Sequence, residues 1–263
     1  MASRKRVALA AGLLAVIALA AVLAMVNSGG GRGGEGPPRA LYYDSLSREY
    51  PNPELRDRIV GLLRSHGYLV DVYVNESAGL EPLESLGEYD LVIIRAHGAY
   101  NGDPESRRPL GTYIYTGLLL DEAERAYGAG TIERMLRRGD LALGVVPPPG
   151  YTGNYTDLPK YVAVSPQFFD ARIHRMRPGS IVIFTGCYGM DDDRLASIFT
   201  SRGSRAFVGW RGNVTWGIAD ASLEKYVEAL LQAGDPAGAL GLLPGELRVD
   251  PYTGAELIVY EGG

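Results

Sequence analysis

A histidine and the chain's single cysteine each close a short apolar run and stand beside glycine. Tyr89–Ile94 leads through Arg95 and Ala96 to His97-Gly98. Ser180–Phe184 leads through Thr185 and Gly186 to Cys187-Tyr188-Gly189. Runs this short and this rich in β-branched residues read as buried strands. Neighbouring parallel strands deliver their carboxyl ends to one sheet edge, where α/β proteins build their sites. An imidazole and a thiol released there together are a base and a nucleophile, the pair a cysteine hydrolase needs. Cys187 also precedes a predicted helix start, where partial positive charge lowers a thiol's pKa. Gly186 and Gly189 allow a tight turn and close approach of a substrate backbone. Taken singly, each residue has a plainer reading, Cys187 as an inert core thiol and His97 as a satisfied polar strand end. Their equivalent placement on two strands favours catalysis.

The elements that must position this pair alternate between strand and helix. Ala40–Tyr43 reads as a first strand, and Asn52 caps a helix that opens on Pro53 and stops at Gly67. Tyr68–Val74 is a second strand, and a short helix over Leu80–Leu86 leads to the histidine strand. Tyr100–Arg108 reads as a polar loop, Tyr113–Tyr115 as an added strand and Asp121–Arg138 as a helix. Leu141–Val146 and Lys160–Val164 flank the Pro147-Pro148-Pro149-Gly150 turn as a hairpin. A helix over Gln167–Met176 delivers the chain to the cysteine strand. Beyond it follow a helix near Asp193–Ser201, a strand over Arg205–Trp210, a helix over Ala219–Ala233 and a last strand over Glu256–Tyr260. This order predicts an α/β fold, a three-layer α/β/α sandwich whose mostly parallel sheet is covered on both faces.

Residues 1–27 are set apart. Arg4-Lys5-Arg6 precede an uncharged apolar run from Val7 to Val26, long enough as a helix to span about 30 Å of hydrocarbon. The basic cluster predicts a transmembrane signal anchor with everything after it outside the cytoplasm. Cleavage after Val22-Leu23-Ala24 would release a secreted protein instead. Residues 28–38 (SGGGRGGEGPP) form a Gly/Pro-rich tether, and 39–263 the folded domain. Sequons at Asn75, Asn154 and Asn213 agree with an external domain. A net charge of −5 argues against a nucleic-acid footprint, and one cysteine excludes an internal disulfide framework.

The two motifs, in the order His-Gly then Cys, resemble those of the caspase–gingipain–legumain superfamily of cysteine peptidases (clan CD). The stretch from Cys187-Tyr188-Gly189 to Gly203–Trp210 is similar to the corresponding part of gingipain-like and CHAT-type proteases. The resemblance spans about residues 40–235 and implies a caspase-like fold and a cysteine endopeptidase acting on proteins or peptides, which the predicted N-terminal anchor would hold at the membrane. It makes Cys187 the nucleophile and His97 the group that helps activate the thiol and protonates the leaving amine. The amides of Gly98 and Cys187 would form the oxyanion hole. No third catalytic side chain and no cofactor are implied. Thr185-Gly186 stands where caspases carry Gln-Ala, which puts aspartate specificity in doubt. An inactive surface binding module and a transpeptidase of the same fold stay open beside the peptidase.

Other residues carry weaker signals. Asp191-Asp192-Asp193 reads as the acidic first turn of a helix, with a basic P1 side chain or a calcium ion as alternative ligands. Trp210, Trp216 and Asn213 follow the strand next to the cysteine strand and are candidate walls of a substrate groove, with core packing an equal reading for Trp210. His66 reads as a helix cap and His174 as solvated.

Overall fold

The computed structural model describes residues 36–106, 108–148 and 150–262. The predicted anchor and most of the tether lie outside the described residues, among which no helix is long and apolar enough to cross a membrane. In chain order the elements are β1 (Arg39–Asp44), α1 (Pro53–Ser65), β2 (Leu69–Val74), α2 (Leu80–Glu84), β3 (Leu91–Arg95), β4 (Gly98–Asn101) and β5 (Gly111–Leu119). There follow α3 (Leu120–Tyr127), α4 (Ala129–Arg138), β6 (Leu141–Gly144), β7 (Tyr161–Val164) and α5 (Pro166–Arg172). The chain ends with β8 (Ile181–Thr185), α6 (Arg194–Ser201), β9 (Ala206–Arg211), α7 (Trp216–Ala233), α8 (Pro236–Leu242), α9 (Gly245–Arg248) and β10 (Glu256–Glu261).

Among the described residues, six strands form the main sheet in the order β10-β9-β8-β3-β1-β2, all parallel except β10, which closes one edge antiparallel to β9. Its central strands bury both faces, which is why they read as unbroken apolar runs. Ala40, Tyr42, Leu91, Ile93, Ile183, Val208 and Trp210 face one core with α1 and α7. Leu41, Tyr43, Val92, Ile94, Val182, Phe184 and Phe207 face the other, with α2, α5 and α6. Helices therefore cover both faces, as the alternation predicts.

The segment between β3 and β8 builds a second, four-stranded antiparallel sheet, β4-β5-β7-β6. The predicted hairpin is its β6–β7 half. The predicted loop from Tyr100 is instead part strand, because β4 pairs with a β5 that runs well beyond Tyr113–Tyr115. The single helix expected over Asp121–Arg138 is two, broken at Gly128, whose φ of 86° ends one helix and admits the next. Asn52 caps α1 as expected, its side chain accepting from the Leu55 amide.

Candidate active site

The β3–β8 register pairs Arg95 with Thr185. Two steps further along the same register set His97 beside Cys187. Backbone contact beyond the last ladder pair agrees. A Cβ on Gly186 would lie 2.3 Å from the Ala96 carbonyl oxygen, and one on Gly98 would lie 2.0 Å from that of Cys187. Both positions need glycine for this approach alone. The two reactive residues therefore leave adjacent parallel strands at one sheet edge.

The turn carrying Cys187 is held from several sides. Tyr188 has φ 63°, a left-handed conformation uncommon for an aromatic residue and typical of strained functional turns. Its amide donates to the Gly212 carbonyl at 2.8 Å, and the Met190 amide to that of Trp210 at 2.9 Å. The Thr112 hydroxyl donates to the Tyr188 carbonyl, and Asp191 Oδ1 accepts from the Gly212 amide at 2.7 Å. No helix starts at Cys187, since α6 begins only at Arg194. The expected lowering of the thiol pKa is reversed: burial pushes it up, opposed by backbone hydrogen bonds at Val214 and at Cys187 itself. Cys187 is 8% exposed, and its thiol donates to Asn213 Oδ1 at 3.0 Å.

His97 sits in an aromatic box. Its ring centroid lies 5.0 Å from Trp216 and 6.0 Å from both Tyr50 and Tyr115. Nε2 is buried with no hydrogen-bond partner among the described residues, and Glu49 Oε2 stands 4.0 Å away, beyond hydrogen-bond reach. Glu49 in turn accepts from the Tyr161 hydroxyl, and burial raises its pKa above the usual carboxylate range. Burial, with the nearby Arg95 charge, lowers the His97 pKa to about 4. Near neutral pH the site therefore holds a neutral imidazole and a protonated thiol, with no hydrogen bond between them.

Beneath this pair lies a buried ion cluster. Arg95 and Asp44 are each 1% exposed and meet at 2.9 Å, while Arg95 also donates to Asp220 at 2.7 and 2.9 Å and to the Tyr50 carbonyl at 3.0 Å. Asp220 lies near the start of α7, so the cluster ties that helix, which opens on Trp216, to the carboxyl ends of β1 and β3.

Comparison with known proteins places the chain in no family: no family model and no curated protein matches it.

Of the residues expected in a substrate site, Asn213 stands directly on the thiol. Trp210 does not line a groove. It is 1% exposed, because the pleat turns it with Val208 into the core under α7, and Trp216 is the tryptophan beside the histidine. Asp191 is exposed and close enough to raise the Cys187 pKa, while Asp192 pairs with Arg194 at 3.0 Å. The acidic run shapes the turn that precedes α6. Among the described residues, no group of three or more His, Cys, Asp or Glu side chains is placed to hold a metal ion. His66 caps α1, with Nδ1 2.9 Å from the Leu62 carbonyl, and His174 is exposed. Glu49 and Tyr50 were not foreseen, although they lie in the polar segment that follows β1 at this same sheet edge.

Two expectations test this geometry. Below about pH 6.5 the unfolded chain protonates His97 while the fold resists doing so until about pH 4. Stability is therefore lost as pH falls through this window, by about 3 kcal/mol for this group. Urea unfolding from pH 7 to pH 4 should show a shallower decline for His97→Gln than for the unaltered protein, and parallel declines would refute the assignment. Separately, the Asn213 contact stabilises the neutral thiol. Asn213→Ala should lower the thiol pKa and accelerate alkylation of Cys187 by iodoacetamide several-fold at pH 7, read as rate against pH.

Proposed function

We propose that this chain is a cysteine endopeptidase of caspase-like fold, working outside the cytoplasm from its N-terminal anchor on protein or peptide substrates. The observation that carries the reading is the convergence of His97 and Cys187 at one edge of adjacent parallel strands, on a turn with a left-handed Tyr188.

The chemistry follows from the groups in place. A bound substrate carbonyl displaces the thiol from Asn213, and the sulfur gives its proton to the neutral His97 imidazole as it attacks. The carbonyl π pair becomes an oxyanion opposite the Gly98 and Cys187 amides. His97 passes its proton to the departing amine, the C–N bond breaks, and an acyl-enzyme is left on Cys187. Water, activated by His97, releases the acid; an amine acceptor in its place would make the same site a transpeptidase. A His97 with a pKa of about 4 starts as base, the state this order of events needs. Asp191, exposed on the cysteine turn, supports a basic P1 residue. Glu49 faces the inner nitrogen of His97 and would orient and stabilise the imidazolium once it forms.

One observation favours a second reading. The thiol is protonated, buried and committed to Asn213 rather than to His97, as in an inactive binding module of the same fold. An acyloxymethyl-ketone library that varies P1 separates the two. The peptidase should be labelled once, at Cys187, with Arg or Lys at P1 fastest. Labelling absent across the library, in protein that iodoacetamide still alkylates, would favour the binding module.

A further inference from the structure

The second sheet begins one residue after His97, and its first strand is its outer one. In β4–β5 the residues pair as Gly98 with Ile114, Ala99 with Tyr113, Tyr100 with Thr112 and Asn101 with Gly111. The Tyr115 amide donates to the His97 carbonyl at 3.0 Å. That bond marks His97 and Tyr115 as a hydrogen-bonded pair of the ladder. Hydrogen-bonded and non-bonded pairs alternate along an antiparallel ladder, so Ala99 and Asn101 face β5. The amides and carbonyls of Gly98 and Tyr100 consequently face the opposite way, toward the free edge.

This parity has a consequence for the reaction. The Gly98 amide, the group placed to hold the oxyanion, belongs to the same outward row as the backbone groups of Tyr100. A substrate whose reacting carbonyl sits at Gly98 already lies in line with that row. The edge is accessible, for Gly98 and Ala99 are half-buried and Tyr100 is 40% exposed. An open strand edge is a template for a further strand.

We propose that an extended segment of the peptide substrate adds to β4 as a further strand, pairing with the outward backbone groups of Gly98 and Tyr100. The inference rests on the peptidase reading and names what that site holds: a main chain in extended conformation, bound through its backbone on one side of the scissile bond. Side chains of the added segment would alternate, and those on the Tyr100 face would lie near Asp192, whose charge is close enough to raise the Tyr100 pKa. Folded loops would be poor substrates, and unstructured linkers good ones.

Tyr100→Pro removes one outward amide and leaves every β4–β5 ladder bond in place, since that amide does not face β5. The test compares an octapeptide with a single-residue amide of the same P1 residue. The substitution should lower kcat/KM for the octapeptide about tenfold, as the loss of one backbone hydrogen bond and an added obstruction require. It should leave turnover of the short amide and alkylation of Cys187 within about twofold of the unaltered protein. Tyr100→Phe, which keeps the amide, should match the unaltered protein on both substrates. As a check that needs no variant, N-methylation along the octapeptide should be harmful at alternate positions and tolerated between them. Equal octapeptide turnover by the Pro and Phe variants, with N-methyl effects lacking a two-residue period, would overturn the edge assignment and leave the peptidase standing. No turnover of either substrate by unaltered protein, with iodoacetamide still alkylating Cys187, would overturn the peptidase reading and this inference with it.

Discussion

Replacing His97 by Ala is expected to lower kcat/KM for peptide cleavage by about 10²–10⁴-fold, the range for removing a positioned acid–base group. The thiol in this site is not ionised in advance. Burial holds its pKa up, so in the proposed mechanism the imidazole takes the proton during attack and returns it to the leaving amine. Loss of His97 therefore removes both transfers. Cys187→Ser should abolish cleavage, because a neutral imidazole of low pKa is too weak a base for a serine hydroxyl. Circular dichroism and urea unfolding should show both variants folded. A His97→Ala variant that retains cleavage within about tenfold of the unaltered protein would remove the histidine from the mechanism.

The largest stability effect is expected from Arg95→Met. Arg95 is nearly the size of methionine along its stem, so packing is largely kept while the charge that balances Asp44 and Asp220 is lost. Breaking a buried pair in this way costs about 3–5 kcal/mol. The pH dependence follows from the carboxylate left behind. Burial already raises the Asp44 pKa above its ordinary value, and without Arg95 it rises further. A folded-state pKa above the unfolded one means that the fold binds the extra proton, so the deficit shrinks as pH falls. Urea unfolding should give a larger loss at pH 7 than at pH 5. A loss under about 1 kcal/mol, or one independent of pH, would show that the cluster is not the clamp described above.

Much of the frame was legible because its signals are local. The strands ending at His97 and Cys187 are unbroken apolar runs, as strands covered on both faces should be. Asn52 before Pro53 announced a helix start. The same logic applied to Asp235-Pro236 would have revealed α8, where Asp235 Oδ2 accepts from the Gly238 amide at 2.6 Å. What was not legible depends on partners distant in sequence. Tyr100 lies in a polar stretch and is a strand residue only because β5 supplies a ladder. Trp210 and Trp216 look equivalent in a line of text, yet strand parity sends Trp210 into the core, while Trp216, the first residue of α7, stands against His97. Glu49 is close to the histidine because β1 lies next to β3, an order the chain does not spell out. The state of the thiol was misread for a related reason: a glycine-flanked turn, not a helix terminus, follows Cys187, and burial then decides its pKa.

The separation of the two strand ends also has a kinetic side. Arg95 and Thr185 are ladder partners, although the whole second sheet lies between them in the chain. That sheet is made of nearer pairings, β4 with β5 and β6 with β7, which close shorter loops and can form early. The β3–β8 pairing closes a far longer loop, and β9 and α7 must still arrive to bury Cys187. By loop closure alone, the thiol and imidazole are expected to come together late in folding. A nascent or partly folded chain carries both groups but no assembled site, so under the proposed peptidase reading it would be inert toward its own unfolded neighbours until its core is complete.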